Sequence, residues 1–425
     1  MRVRTTVPAG ILDAGFAALG AFAVSIYAAR VLPTDTLGFY AVFFTAFLTA
    51  VQIPGQLLLL PYEIHAMTLD RDKRMSVLRT SMIRGFGISS LASIGAAFVG
   101  FAITYAGGFG DPWPLTLTVM VAATVSPLQD HIRRMLHAAE RSWSASFVSI
   151  SQALSIALAL GVLILYEVPP VWIPFTALAL ANVASTTFGV LLSRRGTRRL
   201  SEPLPPVSHQ LKSGSWLLAT GILGPLMGLV VNAIVIAVAG ATILGLAEAA
   251  RVVGRPILVI NTGLGQALAP RSVAAAQRGQ RRAARRVTYI FAAVTALGGG
   301  IYAGLVSFDW ALNIAQEVIP KAYEISGLVL AVCISNIVVG ISYPGRYELL
   351  GARREPWVTF TEVVGQAGRT GVAAAASVLG AFVIAIGDTV LGLVRIIGYQ
   401  TKLPGVYRSE PVVKPESSPS EREDE

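Results

Sequence analysis

VPAGILDAGFAALGAFAVSIYAA at residues 7–29 and TLGFYAVFFTAFLTAVQIPGQLLLL at residues 36–60 decide what kind of protein this is. Each run is long enough to cross a bilayer, which takes roughly 20 apolar residues in a helix. Only the turn Arg30-Val31-Leu32-Pro33-Thr34-Asp35 separates them. The pattern then repeats along the chain, at 83–106, 114–130, 144–166, 171–193, 214–239, 243–269, 287–307, 323–344, 357–379 and 382–400. The expected fold is therefore an all-α polytopic membrane protein of about twelve transmembrane helices. Composition agrees, since 54% of the 425 residues are hydrophobic and 14% charged, too few charges to clothe a soluble surface. The first run is too long for the apolar region of a signal peptide, and Asp13 interrupts it, so it reads as a retained helix.

The net charge of +10 is topological rather than a nucleic-acid footprint. With twelve spans, one side receives Arg2 and Arg4, the segments 71–84, 133–141, 194–212, 271–286 and 346–354, and the tail from Lys402. The other side receives only Lys321, while Arg30, Arg251, Arg255, Arg369 and Arg395 fall inside helices. Positive loops remain cytoplasmic, which places both termini in the cytoplasm and the protein in the inner (plasma) membrane. Tryptophan prefers the headgroup level. Trp113, Trp172 and Trp310 fall at the expected outer surface, and Trp143, Trp216 and Trp357 at the inner one. The single cysteine, Cys333, permits no intrachain disulfide.

The Pro-containing basic segment 194–213 reads as a cytoplasmic linker between two six-helix lobes, 1–193 and 214–403, followed by a disordered tail at 404–425. A thin internal repeat supports duplication. A shift of 214 lays Leu136, Ala138, Trp143, Gln152 and Ala153 on Leu350, Ala352, Trp357, Gln366 and Ala367; a shift of 207 lays Leu37-Gly38 on Leu244-Gly245; a shift of 209 lays Pro61 on Pro270. Six helices per half make the repeats parallel, related by an axis along the membrane normal.

Charges inside the bilayer are costly and mark the places where function concentrates. Glu248, Arg251 and Arg255 share one face of the eighth helix, with Arg255 near mid-membrane beside Pro256. Guanidinium groups there suit a phosphate-bearing substrate; the plainer reading pairs Glu248 with Arg251. Arg369 is a further candidate, or a partner of Asp388. Asp388 and Arg395 share a face of the twelfth helix, Arg30 ends the first, and Asp13 lies two turns into it. The candidate substrate-binding residues are thus Arg255, Arg251, Arg369, Arg30 and Arg395, and the candidate proton or ion groups Asp13, Glu248 and Asp388. His65, His131, His137 and His209 fall in or beside cytoplasmic loops without metal-ligand spacing. No nucleophile elbow, P-loop or dinucleotide fingerprint occurs, so neither an enzyme, an ATP-driven pump nor a cofactor is expected.

Two stretches resemble polysaccharide flippases of the multidrug/oligosaccharidyl-lipid/polysaccharide exporter superfamily: Ala29-Arg30-Val31-Leu32-Pro33-Thr34-Asp35-Thr36-Leu37-Gly38-Phe39-Tyr40-Ala41, and Arg134-Met135-Leu136-His137-Ala138-Ala139-Glu140-Arg141 with its echo before Trp357. The resemblance implies flipping of a lipid-linked saccharide on a polyprenyl phosphate or pyrophosphate carrier, from inner to outer leaflet, by alternating access around a cationic cavity. Its partners would be that substrate, membrane lipids and the glycan polymerase or glycosyltransferases of the same pathway, with no nucleic acid. Ion-coupled drug or small-molecule efflux is the alternative. The five intramembrane arginines outnumber Asp13, Glu248, Asp388 and the borderline Glu63, which favours an anionic substrate over an organic cation. A membrane-embedded glycan polymerase or glycosyltransferase would have to build its site from Asp309, Glu317 and Lys321 in the longest outer loop.

Overall fold

The structure, a computed structural model, describes residues 3–67, 69–193, 206–308 and 314–407. All regular structure among these residues is helical, and twelve long helices occupy the twelve expected runs. They are α1 Val3–Val31, α2 Thr34–Met67, α3 Met75–Ala106, α4 Trp113–Ala138, α5 Ser142–Leu165, α6 Ile173–Ser193, α7 Val207–Ala239, α8 Ala241–Gln277, α9 Arg281–Ser307, α10 Leu328–Gly351, α11 Glu355–Ala373 and α12 Ala376–Val406. Most of the 194–213 linker, Trp310 and Asp309 in the outer loop, and the tail from 408 lie outside the described residues.

The helix ends differ from the sequence-based ones where buried polar residues continue a helix that hydropathy alone would stop. α4 runs to Ala138 rather than 130, so His131, Arg133 and His137 are helical rather than loop residues. α2 continues to Met67 through a π-helical turn at Gly55–Leu59. Pro54 has no N–H to give to the carbonyl of Ala50, and the ladder widens over the following turn. α11 ends at Ala373, six residues early, and α12 continues through Pro404 to Val406, so the tail begins after the helix rather than at 404. α8 passes through Pro256 without a break in helical structure.

Nine of the twelve are apolar enough to cross a membrane on length and hydropathy. α4, α8 and α11 are the other three, and they carry Asp130, Arg133 and Arg134; Glu248, Arg251 and Arg255; and Glu362 and Arg369. Contacts divide the chain into a first unit, Met1–Val253 with Ile314–Ser326 and Ala373–Ala381, and a second, Gly254–Asn313 with Gly327–Val372 and Phe382–Glu425.

Within the first unit the faint Leu-Gly echo has a structural meaning. A Cβ on Gly38 would stand 2.0 Å from the carbonyl oxygen of Ala241, and one on Gly245 would stand 1.8 Å from that of Thr34. The shift of 207 that lays Gly38 on Gly245 also lays Thr34 on Ala241. Each contact is therefore the image of the other, as a local two-fold relation requires. Glycine is needed at both places because backbone meets backbone.

Candidate functional site

The first unit holds a buried ionic cluster where α1, α4 and α5 meet. Asp13, 6% exposed, accepts hydrogen bonds from Arg133 Nε (2.9 Å) and Nη2 (2.8 Å) and from Ser149 Oγ (2.5 Å), and His137 Nε2 lies 3.1 Å from its second oxygen. Arg133 Nη1 donates to Asp130 at 3.0 Å, and Ser146 ties α5 to the carbonyl of Ala9 at 2.7 Å. Asp130, Arg133 and His137 are three or four residues apart, which puts them on one side of α4. With its oxygens occupied by protein donors, Asp13 fastens three helices.

A second cluster surrounds His131, which is fully buried. Its Nδ1 lies 2.8 Å from Glu63 of α2 and its Nε2 lies 2.7 Å from Ser81 of α3, while Arg134 reaches Glu63 at 3.5 Å. A third layer is neutral: Gln129 donates to Gln152 at 3.1 Å, and Gln152 to Asn182 at 2.7 Å, linking α4, α5 and α6. On α7, Asn232 donates to Thr45 of α2 at 2.9 Å.

In the second unit, α11 and α12 are joined by a two-rung ladder of reversed charge. Arg395 donates through Nε to Glu362 Oε2 at 2.8 Å and makes a second short contact to Oε1; Arg369 Nε pairs with Asp388 Oδ1 at 2.8 Å. Glu362 and Arg369 are seven apart, as are Asp388 and Arg395, so two antiparallel helices bring both pairs into register. Glycines let the helices approach: a Cβ on Gly365 would stand 2.6 Å from Leu391, and one on Gly387 3.2 Å from Arg369. Gln366, at the repeat position of Gln152, donates to Glu362 at 3.1 Å. The seam between the fifth and sixth helices of each repeat is thus polar, amide-based in one and ionic in the other. Beside it, the buried hydroxyls of Thr361 and Tyr399 have no hydrogen-bond partner among the described residues.

The sequence-derived candidates are distributed as follows. Glu248, 1% exposed, pairs with Arg251 at 3.0 Å, the plainer of the two readings. Arg255 is half-buried one turn further along α8. Arg369 and Asp388 are brought together, whereas Arg395 goes to Glu362 and not to Asp388 on its own helix. Arg30 meets Glu317 at 3.7 Å with both side chains well exposed, a pair worth at most about 1 kcal/mol. Asp13 meets none of the other candidates. Sequence reasoning passed over Arg133 and Glu362, and it placed His131 and His137 in or beside loops rather than in a buried cluster. The i, i+3, i+4, i+7 spacing of Asp130, Arg133, Arg134 and His137 was the available signal. Counting Glu362 and the buried Glu348 brings the acids to six beside the five arginines first named, although Arg133, Arg134 and Arg346 are helical as well. Among the described residues no group of three His, Cys, Asp or Glu is placed to hold a metal.

The ladder predicts energetic coupling. Arg369→Gln and Asp388→Asn, made singly and together, should show a coupling of about 0.5–3 kcal/mol in thermal unfolding in detergent. Strict additivity would mean that the pair does not form.

No family model matches the sequence, and no curated protein does. Solved structures do. The chain is similar to an inward-facing multidrug resistance MATE family transporter of the MOP superfamily, with TM-score 0.68 and 12% identity over 94% of this chain and 99% of that one. It is similar to the eukaryotic MATE transporter AtDTX14, with TM-score 0.69 and 13% identity over 95% and 96% of the two chains. It is also similar to a MOP superfamily transporter from Pyrococcus furiosus, described as having a binding pocket of reverse polarity, with TM-score 0.55 and 13% identity over 95% and 96%. MATE transporters have twelve transmembrane helices in two lobes, and the fold of this chain is theirs.

Proposed function

We propose that the chain is an ion-coupled membrane transporter that exports small amphipathic molecules by alternating access. One observation carries this reading: the fold likeness spans 94% of this chain and 99% of a multidrug transporter. The charge inventory supports it. Arg251, Arg369 and Arg395 each have an acid within 3.0 Å, so they offer a bound phosphate less than their number suggests. In this reading Asp13, Glu248 and Asp388 are the proton or ion groups, joined by Glu63 and Glu362, and both termini lie in the cytoplasm.

A second reading, flipping of a lipid-linked saccharide for polysaccharide biosynthesis, is favoured by the 29–41 and 134–141 stretches. There Arg255, Arg251, Arg369, Arg30 and Arg395 would face the phosphate and sugars, with the glycan polymerase or glycosyltransferases as partners.

Cells depleted of the protein separate the two. Efflux predicts that they retain a fluorescent lipophilic cation severalfold more than wild type, that the wild-type gene reverses this, and that polyprenyl-linked saccharides measured by lipid mass spectrometry do not change. Accumulation of such a saccharide, cleared by wild type but not by Arg255→Ala, would establish flipping instead. No change in either pool would remove both readings.

A further inference from the structure

The second unit carries a cluster of arginines that the transport reading does not use. Arg271 and Arg278 stand at the end of α8, and Arg281, Arg282, Arg285 and Arg286 in the first two turns of α9; all six are exposed. None pairs with an acid among the described residues. Glu348, an acid of α10 that is 2% exposed, is taken up by Tyr407 at 2.7 Å and Thr288 at 2.5 Å. Arg353 and Arg354, exposed in the turn after α10, add to the same end, since Gly351 packs against the backbone of Val273.

What lies below the cluster on α9 identifies its partner. Arg282 and Arg286 continue, at helical spacing, into Tyr289, Leu297 and Ile301, which are 67%, 68% and 66% exposed. The opposite side of α9, with Ala284, Phe291, Thr295 and Gly299, is buried. A stripe of exposed aromatic and aliphatic side chains on a membrane helix faces acyl chains. The helix has 27 residues and is roughly 40 Å long, whereas the hydrocarbon layer is about 30 Å. Its basic first turns therefore stand at the headgroup level of the very lipids its middle touches, with Tyr289 at the boundary.

We propose that Arg278, Arg281, Arg282, Arg285 and Arg286 form a binding surface for anionic phospholipid headgroups at the cytoplasmic end of the second unit. Guanidinium forks match lipid phosphates, and each arginine near an anionic surface is worth about fivefold in affinity. The acyl chains of the same lipid lie along the Tyr289–Ile301 stripe.

The test is native mass spectrometry of the full chain released from nanodiscs of equal phosphatidylglycerol and phosphatidylcholine. The wild type should retain phosphatidylglycerol at least tenfold over phosphatidylcholine. The Arg281→Gln/Arg282→Gln/Arg285→Gln/Arg286→Gln variant, checked for folding by its thermal midpoint, should lose that preference, and the corresponding four-lysine variant should keep most of it. If the quadruple glutamine variant folds and retains the lipid as the wild type does, the surface is elsewhere and the proposal fails. It fails also if lipid preference appears only after truncation behind Tyr407, because the acidic tail would then be the occupant.

Discussion

Asp13→Ala should lower stability by about 3–5 kcal/mol, the loss expected when one member of a buried ion pair is removed and the other is left behind. Arg133, with its side chain 15% exposed, would keep only Asp130 as an anionic partner, and Ser149 and His137 would each lose an acceptor. The effect reads as a drop of the thermal midpoint in detergent and as poor recovery from the membrane. Asp13→Ala combined with Arg133→Met should recover a good part of the loss, because the pair is removed with its desolvation penalty. If the single variant is as stable as the wild type, Asp13 does not hold α1 to α4 and α5.

Gly245 is the second sensitive position. Gly245→Ala should cost about 3 kcal/mol, the upper end of overpacking, since the obstacle is the Thr34 carbonyl rather than a side chain that can turn away. Gly38→Ala, its image against Ala241, should cost a similar amount. In the proposed topology, with both termini cytoplasmic, these residues are at the outer ends of α2 and α8. Under alternating access, both variants should disfavour the state in which those ends touch. They should raise labelling by a membrane-impermeant thiol reagent of a cysteine placed at Thr36, in a Cys333→Ala background. Equal labelling of variant and wild type would mean that this crossing plays no part in the cycle.

Much of the architecture was legible because hydropathy and charge placement are local properties. Twelve runs gave twelve helices, and the Leu37-Gly38 echo marked a true reciprocal contact. Pairing within a helix was legible too, as Glu248 and Arg251 illustrate. What the sequence concealed is non-local. Arg133 looked like a loop residue because its partner Asp13 is 120 positions away and the charges of Asp130 and Arg134 beside it end a span on hydropathy alone. Glu362 passed unnoticed because nothing near it in sequence announces Arg395, whereas the Arg369–Asp388 pair was one of the two readings of Arg369. Folding supplied the antiparallel register that pairs Glu362 with Arg395 and Arg369 with Asp388. The same register gives two of the five arginines an acidic partner, which weakens the anionic-substrate argument.

The most direct test of the central claim is transport by the purified chain in proteoliposomes. A fluorescent lipophilic cation is supplied outside, and a proton or sodium gradient is imposed across the membrane. Ion-coupled efflux predicts uptake or release against the substrate gradient that collapses when the ion gradient is dissipated, and that falls at least tenfold in a folded Glu362→Gln/Arg395→Gln variant. Movement of the probe at the protein-free rate, with no response to either ion gradient, would contradict the proposed efflux function.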